Sequence, residues 1–251
     1  VAHRAGLGWY GKNANLLISG AGSWFVLGCV VTTANLPRSA GPAPDGCGTC
    51  VRCIDGCPTQ AIVAPGVVDA SRCLAWLLQK PGVFDDRFRI ALGDRIYGCD
   101  DCQEVCPPTV RLGERHRRRD PGEPVRSSVD VLTILEGTDD EVLRLCGGWY
   151  LADRDPRWLR RNALVVVGNG AGSDDGRVTA MLARYLADDD PILRAHAVWA
   201  ARRLGRDDLV ARHLPPGDTD PIVTAELDRP VEPRRDVDAG RPDRSWSTAR
   251  P

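Results

Sequence analysis

The sequence predicts an α+β fold in which a small cysteine-rich domain is followed by an all-α repeat. Eight of the ten cysteines fall between Cys47 and Cys106, in a stretch rich in turn residues. After residue 126, apolar residues recur at helical intervals. Two of these stretches, "LRRNALVVVGNG" and "LRAHAVWAARRLG", resemble each other about thirty residues apart. This pattern is typical of HEAT-like repeats, which stack pairs of helices.

The composition is that of an ordinary soluble globular chain. Of its 251 residues, 43% are hydrophobic and 27% are charged, and the net charge of −1 indicates no particular partner. No apolar run reaches the ~18 residues of a membrane span, and no basic-then-apolar leader is apparent. We therefore expect a cytoplasmic protein without membrane contact, in which so many cysteines favour metal or cluster binding over disulfides.

The N-terminal stretch "GLGWYGKN" looks like two phosphate-binding motifs at once. Gly6, Gly8 and Gly11 match G-x-G-x-x-G, and Lys12 follows Gly11 as in a P-loop. The context fits neither motif, because no strand precedes Gly6 and Asn13 stands where a P-loop carries a hydroxyl. We interpret the three glycines as residues that let the chain turn tightly and pack closely.

The cysteine spacing carries the strongest chemical signal. The stretch "CGTCVRCIDGCP", from Cys47 to Pro58, has the spacing C-x2-C-x2-C-x3-C-P of bacterial ferredoxins. A second set consists of Cys73 and the stretch "CDDCQEVCP", from Cys99 to Pro107, which keeps the C-x2-C-x3-C-P end of the motif. Both sets predict ligands of 4Fe–4S clusters.

The fourth cysteine of each ferredoxin motif ligates the other cluster, so the ligands cross between the motifs. The first predicted cluster takes Cys47, Cys50, Cys53 and Cys106. The second predicted cluster takes Cys57, Cys73, Cys99 and Cys102. Zinc is the alternative, but it favours separated C-x2-C pairs, and a triple-spaced run followed by C-P suits it poorly.

Outside the cysteine domain the predictions concern packing. The apolar run Ser23–Val31 predicts a buried strand with Cys29 in the core, and Cys146 is predicted to be a core residue at the end of a helix. A helix is expected over about residues 70–79. The four histidines show no ligand spacing, and residues 216–251, rich in Pro, Asp and Arg, predict disorder.

At this point the sequence resembles a known family, the epoxyqueuosine reductases. The matching stretches are "RAGLGWYGKN", "GSWFVLG", "CGTCVRCIDGCPTQAI", "DASRCLAWL" and "RIYGCDDCQEVCP", in that order, together with "LRRNA" in the helical part. The resemblance covers roughly residues 3–205. It implies four segments: a remnant of a cobalamin-binding α/β domain at 1–36, a ferredoxin-like double-cluster domain at 46–110, a HEAT-like repeat at 127–214 and the tail at 216–251.

The resemblance also implies an activity. Members of this family are oxidoreductases that reduce epoxyqueuosine to queuosine at the wobble position of tRNA, with cobalamin and two 4Fe–4S clusters. Electrons would pass through the clusters to cobalt while an acid protonates the epoxide oxygen. The residues that the resemblance assigns to cobalamin contact are Leu16, Leu27, Ala75 and Asp100.

The sequence departs from the family pattern in three places. The part that carries the catalytic acid would lie before residue 1, so the catalytic residue is unknown and this chain by itself is expected to bind clusters without turnover. Ala75 stands where the family usually has serine, and Pro108 stands where it usually has tryptophan. The chain begins with Val1, which suggests the inside of a larger domain.

The implied partners are the anticodon stem-loop of tRNA and an external one-electron donor, with the protein acting as a monomer. Candidate RNA contacts are basic residues after the cysteine domain, namely Arg117, Arg118, Arg119, Arg160 and Arg161. The alternative for them is a solvated basic surface. Two alternative functions stay open: a ferredoxin-like electron-transfer module without its own catalysis, and a cobalamin enzyme of the reductive dehalogenase type.

Overall fold

The computed structural model describes residues 1–119 and 128–231, with residues 114–119 described as helical backbone only. These ranges contain four short strands, which are β1 (Trp9–Tyr10), β2 (Leu16–Leu17), β3 (Ile62–Ala64) and β4 (Val67–Val68). The first helices are α1 (Arg52–Asp55), α2 (Leu74–Gln79), α3 (Arg89–Leu92), α4 (Asp101–Glu104) and α5 (Pro107–Arg119). The later helices are α6 (Val131–Glu136), α7 (Asp139–Leu145), α8 (Arg157–Gly170), α9 (Gly176–Leu186), α10 (Pro191–Arg203), α11 (Asp207–His213) and α12 (Pro221–Asp228).

The described chain forms two compact units. The first unit comprises residues 1–73 and 100–119, and the second comprises residues 74–99 and 128–231. The segment between Cys73 and Cys99, which lies inside the domain predicted at 46–110, packs with the helical unit. The physical reason is burial: its apolar side chains join the core of the helices that follow, namely Leu74, Leu77, Leu78, Phe84, Phe88 and Leu92.

The stretch "GLGWYGKN" forms a turn and the first half of a hairpin in the first unit. β1 pairs antiparallel with β2, with Trp9 opposite Leu17 and Tyr10 opposite Leu16. Gly6 has φ +76°, and a Cβ on Gly8 would lie 2.2 Å from the carbonyl oxygen of Leu17. The glycines thus serve a tight turn and a close backbone approach, not the strand–loop–helix of a phosphate loop.

The buried strand predicted over Ser23–Val31 is wrong. Ser23 is buried, but Val26 and Val31 are 96% and 95% exposed, and Cys29 is exposed instead of lying in the core. No strand of the described residues pairs with this run. β-Branched residues favour strands only where a neighbouring strand can complete the hydrogen bonds and cover one face.

Between the cysteine motifs, the helix predicted over residues 70–79 is divided. A 3₁₀ turn, Ala70–Arg72, is followed by Cys73 in an extended conformation (φ −74°, ψ 120°), and α2 begins at Leu74. The preceding hairpin pairs β3 with β4 antiparallel, with Ile62 opposite Val68. Cys73 therefore stands at the junction between the two units.

The second unit is built from helices packed on one another. α10 lies at its centre, against α8, α9 and α12, while α6 packs on α8 and α9. Aspartates cap several helices, as Asp175, Asp190 and Asp220 each accept a hydrogen bond from the backbone of the first turn. Cys146 is buried as predicted.

The predicted disorder of residues 216–251 is wrong for its first part. α12 occupies Pro221–Asp228, and Val223 and Glu226 are buried. The helix forms because Asp220 caps it, Pro221 occupies its first turn and Val223 packs into the core. Residues 232–251 lie outside the described residues. Within the described chain, no helix has the length and apolar character needed to cross a bilayer.

Candidate iron–sulfur site

The first cysteine motif forms a loop at the start of α1. The carboxylate of Asp45 accepts hydrogen bonds from the backbone nitrogens of Cys47 and Gly48, at 2.9 and 3.3 Å. These bonds lower the pKa of Asp45. The nitrogen of Cys50 in turn bonds to the carbonyl oxygen of Cys47 at 3.0 Å. Hydrogen bonds within the protein therefore hold the shape of the loop.

Four thiols from both motifs border one cavity of about 160 Å³ in the first unit. Three come from the first motif, Cys47, Cys50 and Cys53, and the fourth is Cys106 from the second motif. The remaining lining residues are Trp9, Lys12, Asn13, Leu17, Gly46, Arg52, Pro107, Pro108 and Arg111. These four cysteines are the ones that the crossed spacing assigns to one cluster.

Two of the four thiols have raised pKa values. Burial, followed by the neighbouring Cys106, raises the pKa of the Cys53 thiol. Burial also raises the pKa of Cys106, although hydrogen bonds from the backbone and hydroxyl of Thr109 oppose the shift. Thiols of this kind stay protonated by themselves, and coordination to a metal centre deprotonates them.

A cluster and a single metal ion require different arrangements of these donors. Among the residues that the structure describes, no three Cys, His, Asp or Glu side chains approach closely enough to hold one metal ion. A single zinc needs four ligands about 2.3 Å from one centre. A cubane of four irons places each thiolate at a different corner, so it requires a wider arrangement of the same donors.

The hairpin β1–β2 joins the two cysteine motifs of the first unit. Lys12 Nζ donates to the carbonyl oxygen of Gly48 at 2.7 Å, and Asn13 Nδ2 donates to the carbonyl oxygen of Cys102 at 3.1 Å. The carbonyl oxygen of Lys12 also accepts from the nitrogen of Gly66 at 2.9 Å. Sequence reasoning missed this role, because the contacts of Lys12 and Asn13 span 36 and 89 residues and leave no local pattern.

The second predicted set of ligands divides between the two units. Cys57, Cys73 and Cys102 belong to the first unit, whereas Cys99 is the last residue of the segment 74–99 in the second. The sulfur of Cys57 accepts a hydrogen bond from the nitrogen of Ala61 at 3.2 Å. Cys102 lies in α4, one turn before Cys106.

The residues assigned to cobalamin contact are spread over both units. Leu16 is 9% exposed in β2, whereas Leu27 is 53% exposed in the irregular segment after Ser23. The carboxylate of Asp100 accepts a hydrogen bond from Gln103 Nε2 at 2.7 Å. Ala75 lies in α2, in the second unit.

Two of the predicted RNA contacts are structural residues, which corrects the prediction. Arg161 is fully buried and donates to the carbonyl oxygens of Leu77, Leu78, Lys80 and Gly82, at 2.7 to 3.2 Å. Burial lowers its pKa to about 9. Instead of contacting RNA, Arg161 satisfies the last carbonyl groups of α2 and the turn after it.

Arg160 also makes contacts inside the helical unit. Its guanidinium donates to Asp139 at 2.5 Å and to the carbonyl oxygen of Gly137 at 2.9 Å, and the side chain is 12% exposed. Its basic charge is therefore paired inside the helical unit. Arg117, Arg118 and Arg119 lie in the last turns of α5, and their side chains fall outside the described residues.

Residues 46–109 match the family model described as a 4Fe-4S double cluster binding domain. The similarity to complete proteins extends well beyond this domain. The epoxyqueuosine reductase of Xanthomonas campestris pv. campestris is 42% identical over 210 residues, which are 82% of this chain and 57% of that protein. The Escherichia coli epoxyqueuosine reductase is 37% identical, over 80% of this chain and 52% of the relative.

The resemblance to the epoxyqueuosine reductases is confirmed. The epoxyqueuosine reductase structure from Streptococcus thermophilus aligns with a TM-score of 0.71 at 30% identity, over 90% of this chain and 60% of that one. An epoxyqueuosine reductase crystallised with an epoxyqueuosine-modified tRNA-Tyr stem loop aligns with a TM-score of 0.69 at 26% identity. This chain spans 52–57% of the length of the two epoxyqueuosine reductases compared by sequence.

Proposed function

We propose that this chain provides the iron–sulfur and helical parts of an enzyme that reduces epoxyqueuosine to queuosine in tRNA. The observation that carries the proposal is the cavity in which Cys106 meets Cys47, Cys50 and Cys53. That meeting is the feature expected when two ferredoxin-type motifs exchange ligands. The relatives that share the same cysteine-rich region are epoxyqueuosine reductases.

The residues fit the groups that would carry electrons. In the proposal the first 4Fe–4S cluster is held by the four cavity cysteines, and the second is held by Cys57, Cys73, Cys99 and Cys102. Each cluster, when bound, exchanges one electron at a time. Removal of an epoxide oxygen as water consumes two electrons and two protons, so two one-electron centres suit the reaction. An external one-electron donor is the implied partner.

Within this chain, the hairpin β1–β2 would position the first cluster. Lys12 donates to the Gly48 carbonyl and Asn13 donates to the Cys102 carbonyl, so the same hairpin contacts both motifs. The cationic side chains of Lys12, Arg52 and Arg111 border the same cavity. Their positive charge would stabilise the reduced state of a cluster bound there.

Only the resemblance to the epoxyqueuosine reductases implies cobalamin for this chain. Of the residues assigned to it, Leu16 is almost fully covered, Leu27 faces solvent, and Ala75 belongs to the helical unit. We therefore derive no step through cobalamin. The packed helices of residues 128–231 are proposed to act as a HEAT-like repeat.

The proposed substrate is the anticodon stem-loop of tRNA, in keeping with the stem loop present in one similar structure. Arg117, Arg118 and Arg119 remain the proposed phosphate contacts. Phosphate contacts of this kind position an RNA without reading its sequence. Arg160 and Arg161 are no longer part of this proposal.

A chimera tests the function. This chain would be joined behind the N-terminal part of the Xanthomonas campestris relative, reconstituted anaerobically and supplied with cobalamin, a strong one-electron reductant and epoxyqueuosine-containing tRNA. Mass spectrometry of the nucleosides should show queuosine, and the same chimera carrying Cys50→Ser should show none.

The alternatives give different results in the same experiment. Reduction of an organohalide without queuosine formation would support an enzyme of the dehalogenase type. Reversible reduction of the clusters with neither product would support an electron-transfer module. Failure of a well-folded chimera to form queuosine while retaining eight irons would contradict the proposed function.

A further inference from the structure

The cavity at the first cysteine motif contains an unpartnered hydrogen-bond donor. The indole Nε1 of Trp9 is buried, and no atom of the described residues accepts its hydrogen. Trp9 itself lines the cavity together with the four thiols. A buried N–H without an acceptor costs about 1–3 kcal/mol of desolvation, so native structures seldom leave one unused.

The indole ring of Trp9 packs closely against the backbone of Gly46. A Cβ on Gly46 would come within 2.7 Å of Cε2 and 2.8 Å of Cζ2 of the indole, and Cε2 is bonded to Nε1. Only glycine allows the ring edge to approach the backbone at this point, and the next residue is Cys47. Strand β1 fixes the other side of Trp9 through its pairing with Leu17.

Two other sulfurs in this unit accept hydrogen bonds from different donors. Thr109 hydrogen-bonds to Cys106 through its backbone and its hydroxyl. Ala61 donates its backbone N–H to the sulfur of Cys57. Trp9 differs from both because its donor has no acceptor among the described residues and borders the volume that the first cluster would occupy.

We propose that the Trp9 indole N–H donates a hydrogen bond to a sulfur of the first 4Fe–4S cluster and thereby raises its reduction potential. Reduction adds one negative charge, which is shared by the sulfurs, and an N–H donor stabilises the reduced form more than the oxidised form. Trp9 is thus a tuning residue that acts through the cluster. The inference rests on the cluster assignment in the proposed function.

The test compares Trp9→Phe with the unchanged chain after anaerobic reconstitution. Phenylalanine keeps an aromatic side chain at this position and removes the donor, although its ring is smaller than the indole. A redox titration followed by electron paramagnetic resonance should show a lower midpoint potential for one cluster and an unchanged potential for the other. A tenfold change in the one-electron equilibrium constant corresponds to about 59 mV, and we expect a shift up to that size.

The affected signal should be the one that Cys106→Ala abolishes. Trp24→Phe is the matched control, because Trp24 is 43% exposed and does not line the cavity. This variant should leave both potentials unchanged. Iron content measured on each sample shows whether both clusters are intact.

A second measurement tests the proposal even if the Trp9→Phe variant loses iron. In the unchanged chain, electron–nuclear double resonance in H₂O and D₂O should detect an exchangeable proton coupled to the reduced first cluster. Gly46→Ala, which moves the ring edge but keeps the donor, should weaken that coupling. Equal potentials in Trp9→Phe at full iron content, or no exchangeable proton in the unchanged chain, would overturn the inference and leave the proposed function intact. Absence of any 4Fe–4S centre would overturn both.

Discussion

Arg89 and Glu226 form a bidentate ion pair in the core of the helical unit. Nη1 and Nη2 of the arginine donate to Oε1 and Oε2 of the glutamate at 2.8 and 3.0 Å, and the two side chains are 1% and 3% exposed. Arg89 Nε also donates to the carbonyl oxygen of Phe84. This pair connects α3, in the segment between the cysteine motifs, to α12 near the other end of the described chain.

Glu226→Gln should destabilise the helical unit strongly. The substitution leaves the Arg89 charge buried without its counter-charge, and breaking a buried pair in this way costs about 3–5 kcal/mol. Unfolding followed by far-ultraviolet circular dichroism would measure the loss. Arg89→Met combined with Glu226→Leu removes both charges and should recover much of the stability.

An exposed pair provides the control for that prediction. Glu136 accepts from Arg177 at 2.9 Å, with both side chains more than a third exposed. Glu136→Gln should leave the unfolding midpoint nearly unchanged, since exposed pairs contribute little. Equal effects of Glu136→Gln and Glu226→Gln would contradict the argument from burial.

His196 should make the helical unit less stable in mild acid. Its Nε2 accepts the N–H of Phe84 at 3.1 Å and its Nδ1 donates to the carbonyl oxygen of Ile192 at 2.6 Å, so the ring is held neutral. Burial, with Arg89 and Arg161 as further causes, places the pKa of His196 well below its ordinary value. Its protonation is thus largely confined to the unfolded chain.

The direction of the pH dependence follows from the difference between the folded-state and unfolded-state pKa values of His196. Above the unfolded-state pKa of about 6.5, both states are neutral and stability is complete. As the pH falls below 6.5 towards the lowered pKa of the folded state, the unfolded chain takes up the proton and stability decreases by up to about 1.4 kcal/mol per pH unit. Unfolding at pH 7.5, 6.5 and 5.5 measures the slope, and His196→Gln should reduce it. An identical slope in the variant would assign the acid sensitivity to other groups.

Reconstitution should load about eight irons per chain. Cys106→Ala should reduce the content to about four and abolish the signal of the first cluster, although Cys106 belongs to the second motif. Cys29→Ala is the control, because Cys29 is exposed and remote in sequence from both motifs. Loss of the second cluster alone in Cys106→Ala would refute the crossed ligand assignment, and zinc uptake without iron would refute the clusters.

Binding to the anticodon stem-loop should depend on salt through the last turns of α5. Each phosphate contact contributes about 0.7–0.9 to the slope of log K against log salt, so replacing Arg117, Arg118 and Arg119 by alanine should flatten it by about 2–3. Fluorescence anisotropy at several salt concentrations measures this slope. Arg144→Ala, an exposed arginine at the end of α7, is the matched control. An unchanged slope in the triple variant would assign the three arginines to a solvated surface.

The sequence predicted what depends on local spacing. The cysteine pattern identified the four thiols that border one cavity, and helical periodicity identified the stretches that form α8 and α10. These features depend on residues near one another in the chain. The same reasoning detected the glycine-dependent turn at Gly6 and Gly8.

The failures involve partners that are distant in sequence. Arg161 was interpreted as a phosphate contact because its charge is visible in the sequence, whereas the carbonyl groups that it satisfies lie 79 to 84 residues away. The run after Ser23 has strand composition but no neighbouring strand among the described residues. α12 was missed because a polar, proline-rich composition outweighed the signal of Asp220 and Pro221 at its start.

The carbonyl groups that Arg161 satisfies have a consequence for synthesis on the ribosome. All eight cysteines of the two motifs are translated by residue 106, but the segment between Cys73 and Cys99 finds its core only when α8 and α10 have emerged. Contacts that span about eighty residues form late. We therefore expect iron delivery to Cys73 and to Cys99 to follow the synthesis of α8 and α10.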